Sequence, residues 1–276
     1  MSLHHLGRLQ LDSFRQRFSE RDVAILTSLR EHRFLTGQQI MRLHFHDHAS
    51  TYAGARACSR VMERLQRLHT VARIQRRVGG PGGGSTSQVW TLDFNGYRLT
   101  ERPHKTGRRR QIDPSITFLN HTLAVAETRV RIEEITRRRP IVLTNLEIEV
   151  TAWRTFTGGA GQPVSLRPDL AVTLTDDEFE DGWFIEVDLD TESVRAVLSK
   201  CSVYDQYRRS GREQVLRGVF PRVLWLVPTR PRADALIRAI AASSDLHPRL
   251  FTVAVFEELE AALLNETTDY RKEVQQ

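Results

Sequence analysis

Apolar residues recur at helical spacing in three successive stretches near the start of the chain. Over residues 20–32, Val23, Leu26 and Leu29, with Arg30 alongside, repeat every three or four positions and predict an amphipathic helix. Thr36 stands where it can cap a second, short helix over residues 38–45, and a third is predicted over 51–69 after a turn at 46–50. The apolar stripe of that third helix is Ala57, Val61, Leu65 and Leu68, which leaves Arg56, Arg60, Arg64 and Arg67 on its other faces. The period then shortens to that of a strand. Residues 71–78 (VARIQRRV) and 88–94 (QVWTLDF) read as two strands joined by the glycine-rich stretch 79–87. Three helices followed by such a hairpin predict a winged helix-turn-helix over residues 1–100.

Residues 101–114 are polar, basic and weakly patterned, and read as a linker. A second domain is expected over 115–276, opening on a long helix at 118–137 with Leu119, Leu123, Ala126 and Val130 in one stripe and Glu127 beside it. Strands are predicted at 146–156, 167–174 and 183–189, the last two flanking an acidic turn at 176–182. Thr191 can cap a helix over 193–209; a strand at 222–227, a helix near 231–242 and a strand at 251–256 follow. The order α-β-β-β-α-β-α-β describes an α/β sandwich, so the whole chain is expected to be an α+β multidomain protein.

Charge separates the halves further. Residues 1–110 carry twenty basic and eight acidic side chains, a net +12, against twenty and twenty-six in residues 111–276, a net −6. A basic front half is suited to a polyanion, and double-stranded DNA is the expected partner. In a winged helix-turn-helix the third helix enters the major groove while the hairpin, here with Arg73, Arg76 and Arg77, reaches the flanking backbone or minor groove. The glycine stretch lacks the Gly-Lys-Ser/Thr ending of a phosphate-binding loop, which speaks against nucleotide binding. Only Cys58 and Cys201 are present, so neither a disulfide framework nor a cysteine-based zinc site is on offer. His44, His46 and His48 lie at a helix end and turn, where histidine is unremarkable. No apolar run is long enough for a membrane span, and a cytoplasmic protein without membrane contact is expected.

The candidate chemistry lies in the acidic half. Alternation along 183–189 puts Ile185, Val187 and Leu189 on one sheet face and Glu186 with Asp188 on the other. Asp169 shares a face with Ala171 and Thr173 on the preceding strand, so pairing of the two strands would let three carboxylates converge. Such a cluster repels itself unless a cation joins it, and its oxygen ligands suit Mg²⁺ or Mn²⁺. Lysine occurs only at 105, 200 and 272. Lys200 lies on one side of its predicted helix with Tyr204 and Tyr207, which would turn an ammonium group toward the acids. Phosphodiester hydrolysis calls for these parts: Asp169 and Glu186 as metal ligands, Lys200 as the cation that stabilises the transition state, Asp188 as a further ligand or water-orienting group, and Glu127 as a contributor from the long helix.

Pro168-Asp169, followed after a gap by Glu186-Val187-Asp188, resembles the PD-(D/E)XK nuclease superfamily, whose core has the same α-β-β-β-α-β order. The chain departs from that pattern where Asp188 stands at the usual lysine position, with Lys200 on the next helix as the replacement. More specifically, residues 20–260 resemble the plasmid replication-relaxation family. That resemblance rests on the winged helix, on Asn120-His121-Thr122-Leu123-Ala124-Val125, on Arg167-Pro168-Asp169, and on Phe184-Ile185-Glu186-Val187-Asp188 followed by Lys200 and Tyr204. It implies DNA binding in plasmid replication, relaxation or conjugative transfer of a mobile element, with replication or relaxase proteins as further partners. A homodimer on paired half-sites is a further expectation, with residues 257–270 as a helical contact. Two functions lead: a metal-dependent endonuclease that nicks or cleaves DNA, and a non-catalytic regulator whose degenerate nuclease-like domain serves dimerisation or partner docking. A third, a transcription regulator with a ligand-sensing second domain, finds no obvious apolar pocket among the acidic strands.

Overall fold

The structure, a computed structural model, describes residues 15–74, 88–100, 114–177 and 179–264. Arg76, Arg77, the glycine stretch 79–87, the linker up to residue 113 and the tail after 264 lie outside the described residues. The chain is α+β and divides into two compact units, Met1–Val130 and Arg131–Gln276, the dividing point falling within a helix.

The first unit opens with α1 (Glu20–His32), the two-residue β1 (Leu35–Thr36), α2 (Gly37–His44) and α3 (Thr51–Arg67). Each helix starts on a hydroxyl cap: Ser19, Thr36 and Ser50 accept from backbone N–H groups of the first turn, and Asp22 and Gln39 bond back to the backbone of the first two. β2 (Val71–Ile74) and β3 (Val89–Leu92) follow, and the three strands form an antiparallel sheet in the order β1-β3-β2. α4 (Phe94–Thr100) then turns tightly beneath β2. Gly96 makes that turn feasible, because a Cβ there would sit 2.0 Å from the Thr70 carbonyl oxygen.

The core of this unit joins Ile25, Leu26 and Leu29 to Leu35, Ile40, Leu43, Met62, Leu65 and Trp90. Two stripes differ from their sequence expectation. Val23 is exposed while Ile25 is buried, and the buried line of α3 runs Gly54, Cys58, Met62, Leu65 rather than through Ala57, Val61 and Leu68. Gly54 allows this rotation: only a residue without a side chain fits where a Cβ would stand 2.9 Å from the Phe45 carbonyl. One arginine of α3 is structural. Arg64 donates to Asp22, whose side chain is 1% exposed. Arg64→Ala is therefore expected to lower unfolding stability by about 1–2 kcal/mol, because it strips a buried carboxylate of a charged donor. Urea denaturation checks this, and a change no larger than that of an exposed-site substitution would contradict it.

The second unit is built on a five-stranded sheet in the order β10-β9-β8-β7-β4. The long helix α5 (Ile116–Arg138) leads into β4 (Val142–Ile148), a short 3-10 turn (Glu149–Thr151), a hairpin of β5 (Arg154–Thr157) and β6 (Pro163–Leu166), then β7 (Leu170–Thr175) and β8 (Glu180–Val187). β4, β7 and β8 are antiparallel neighbours. After α6 (Val194–Arg209) and α7 (Arg212–Arg217), β9 (Arg222–Val227) joins β8 in parallel. α8 (Arg230–Ala241) and β10 (Phe251–Val255) continue that parallel half, and α9 (Leu259–Leu263) follows a second 3-10 turn. β9 is buried from Val223 to Val227, which explains its unbroken apolar run. One expected strand, 146–156, is two pieces: β4 ends at Ile148, and the chain turns through Glu149, at φ 47°, before β5 begins. Phe184, Trp225, Tyr204, Tyr207, Ala233 and Leu236 share the core that packs α6 and α8 on one sheet face.

Candidate functional site

Glu186 is the centre of the site. It projects from β8 into the face covered by α6 and is 1% exposed. The Lys200 ammonium donates to its Oε2 at 3.0 Å and the Tyr204 hydroxyl to its Oε1 at 2.6 Å. α6 begins at Ser193, whose hydroxyl accepts from the Ala196 N–H; the cap is this residue and not Thr191. From that start, Lys200 and Tyr204 fall one turn apart on the side facing β8. Asp169, half-buried just ahead of β7, accepts the Val187 N–H at 2.9 Å and lies near enough to act electrostatically on both Glu186 and Lys200.

The charges respond to each other. Burial pushes the Glu186 carboxyl from its ordinary 4.5 up to about 7; Lys200 pulls it back, Asp169 raises it, and the Tyr204 hydrogen bond lowers it again. Burial works against the Lys200 charge, yet Glu186, Asp169 and Glu192 together hold the ammonium above its usual range. Burial and the Glu186 charge hold the Tyr204 phenol well above its ordinary value, so it remains a donor.

The third acid goes elsewhere. Asp188 is 3% exposed, and its Oδ2 accepts from both Nε and Nη2 of Arg232 at 2.8 and 2.6 Å, while its Oδ1 accepts the Asp190 N–H. The expected convergence of three carboxylates is thus two, Asp169 and Glu186, with Asp188 tied to α8. Among the described residues no group of three or more His, Cys, Asp or Glu side chains is placed to hold a metal ion. Glu127 is likewise engaged within the first unit, accepting from Arg42 Nη1 at 2.6 Å and from Gln39 Nε2 at 3.3 Å. His44, His46 and His48 have separate partners, in Ser28, the Leu43 carbonyl and Asp47.

The family model described as replication-relaxation matches residues 26–223, from α1 to the start of β9. The chain belongs to the replication-relaxation family. Its membership points to a role in plasmid replication and relaxation. No curated protein and no solved structure matches the chain. Among the described residues no helix is long and apolar enough to cross a membrane.

On the first unit of this replication-relaxation chain, Arg56, Arg60 and Arg67 are exposed along α3, with Tyr52 on the same stripe and Arg56 stacked over its ring at 5.8 Å. Arg73 is exposed on β2 and lies 4.9 Å over the Trp90 ring. Arg232 is a residue that sequence reasoning passed over. A cation in the first turn of a helix, where the dipole favours anions, was the available signal of a buried acidic partner.

Proposed function

We propose that the chain is a double-stranded DNA-binding protein of a plasmid or related mobile element, in which the first unit selects the site and the second nicks or cleaves it with a divalent metal. The order helix, strand, helix, helix and two-stranded hairpin in the first unit supports a winged helix-turn-helix reading, with α3 as the helix offered to the major groove. The antiparallel β4-β7-β8 with β9 parallel to β8, preceded by α5 and linked by α6, supports the PD-(D/E)XK nuclease-like reading of the second. The observation that carries the proposal is the Lys200 ammonium 3.0 Å from Glu186, with Asp169 acting on both.

Mg²⁺ commonly keeps several waters and takes one or two carboxylates, and Asp169 with Glu186 fits that demand; Asp188, held by Arg232, does not. When bound, such a metal would neutralise a phosphate oxygen and activate a water. The chain's own residues do the remainder. Lys200 supplies positive charge where the phosphorane develops negative charge, and Tyr204 holds Glu186 by one oxygen while the other faces Lys200. The deciding assay is nicking of supercoiled DNA with Mg²⁺ or Mn²⁺, with Asp169→Ala and Glu186→Ala as controls: wild type should nick and both variants should not. Equal inertness of all three, with DNA binding intact, would favour the second reading, a non-catalytic regulator or accessory factor. The full engagement of Glu186 by Lys200 and Tyr204 is the observation on its side.

Arg60 has an exposed side chain on α3, so it tests the binding surface without disturbing the Arg64–Asp22 pair. Arg60→Ala is expected to lower the slope of log affinity against log salt by about 0.9 for a lost phosphate contact. An unchanged slope would remove α3 from the proposed interface.

A further inference from the structure

We propose that Trp153 and Arg167 form a stacking platform for an unpaired base of the DNA strand led to Asp169. The inference rests on the reading that the second unit meets DNA, and it narrows the substrate there to a strand that is locally single: frayed, gapped or flipped. Trp153 is 40% exposed, and the Arg167 guanidinium lies 4.7 Å over its ring. Arg167 makes no ion pair among the described residues, and it stands two positions before Asp169. An indole with a planar cation over it presents the two surfaces on which nucleobases stack, and bases inside an intact duplex cannot reach either.

The platform is held firmly. Glu149 N–H donates to the Asp169 carbonyl at 3.0 Å, which ties the turn before Trp153 to the backbone of the candidate ligand. Arg154 Nη1 donates to the carbonyls of Thr151 and Ala152 at 3.2 and 2.9 Å and reaches that of Trp153 at 3.4 Å. Arg154 is anchored in turn by Glu147 at 2.5 Å and by the buried Glu213 at 3.3 Å. An ion-pair network thus fixes the backbone under an aromatic ring that gains little from its own exposure. Pre-organisation of this kind favours a ligand that needs a rigid flat surface.

The test uses an optical property of the intact chain. Of its four tryptophans, Trp90, Trp183 and Trp225 are 5%, 1% and 1% exposed, so quenching by a stacked base reports on Trp153. The full-length protein, in EDTA, is titrated with oligothymidylate and with duplex of the same length while tryptophan emission is followed. Oligothymidylate should quench and the duplex should not. Trp153→Ala should weaken oligothymidylate binding by about 5-fold to 150-fold, the range for loss of one stacked base. Trp153→Phe should retain binding within a few-fold but lose the quench, and Arg167→Lys, which keeps charge without the plane, should weaken binding.

No quench by either DNA would overturn the platform and leave the exposed indole as a protein contact. Equal quench by duplex, or wild-type binding by Trp153→Ala, would overturn it as well. The two proposals fail separately. Nicking without quench sinks the platform alone, and quench without nicking sinks the nuclease reading alone.

Discussion

An Arg232→Ala chain is expected to lose about 3–5 kcal/mol of unfolding stability, because a buried carboxylate loses its charged partner. The side chains of Arg232 and Asp188 are 8% and 1% exposed, and Arg232 also donates to the Glu192 carbonyl at 2.7 Å, so one guanidinium clamps both ends of the segment between β8 and α6. Asp188→Ala should cost less, since Arg232 keeps the Glu192 carbonyl and the Asp190 carboxylate at 3.2 Å. Urea denaturation of the two single variants and of Arg232→Met with Asp188→Leu separates the terms: the double variant should recover part of the loss. If Arg232→Ala costs no more than an exposed-site substitution, the clamp is not structural and Asp188 returns as a candidate ligand.

Lys200→Met is expected to reduce the proposed metal-dependent nicking by about 100-fold to 1,000-fold, the usual loss when one electrostatic contact to a transition state is removed. The pH profile should change with it. Burial raises the Glu186 carboxyl from 4.5 to about 7, so at low pH the neutral form persists and, with metal below saturation, nicking should rise as pH passes through about 7. Removing the Lys200 charge should move that rise to higher pH, and Asp169→Asn, which removes a neighbouring negative charge, should move Glu186 ionisation to lower pH. Because Asp169→Asn also loses a proposed ligand, its midpoint is best read from a Glu186 carboxyl resonance rather than from rate. A profile flat between pH 5 and 9 would contradict the assignment of Glu186 as the ionising ligand.

The same shift has a sign for stability. Below 4.5 Glu186 is neutral in both folded and unfolded chains; between 4.5 and about 7 the unfolded chain releases a proton that the folded chain retains. The contribution of the raised carboxyl is therefore complete at low pH and declines as pH rises through that window.

Much of this was legible in local pattern. The Glu20–His32 helix and the Arg222–Val227 strand have the bounds that periodicity predicts, and Thr36 caps the helix expected of it. The Lys200–Glu186 contact follows from alternation on β8 and helical spacing on α6, two short-range rules applied to neighbouring elements. What escaped was short or distant. β1 has two residues, too few for any period, and is a strand only because Leu35 and Thr36 pair with Trp90 and Val89. Glu127 finds Arg42, 85 positions away, and Asp188 finds Arg232, 44 positions away; no spacing in a single sequence encodes such pairings. α4 was hidden because Asn95 and Gly96 are poor helix formers; Gly96 is used there for close approach to Thr70, and the Asn95 side chain donates to the Leu68 carbonyl.

Lys200 is also the one lysine among the described residues, in a chain whose other cations are almost all arginine. Its amine is protonated and gripped between two glutamates, at 3.0 and 3.7 Å. Reagents that acylate amines meet only two other lysines in the chain, Lys105 and Lys272, so modification assigned by peptide mapping to the Lys200 nitrogen would serve as a chemical gauge of whether the acidic centre is closed or has let go.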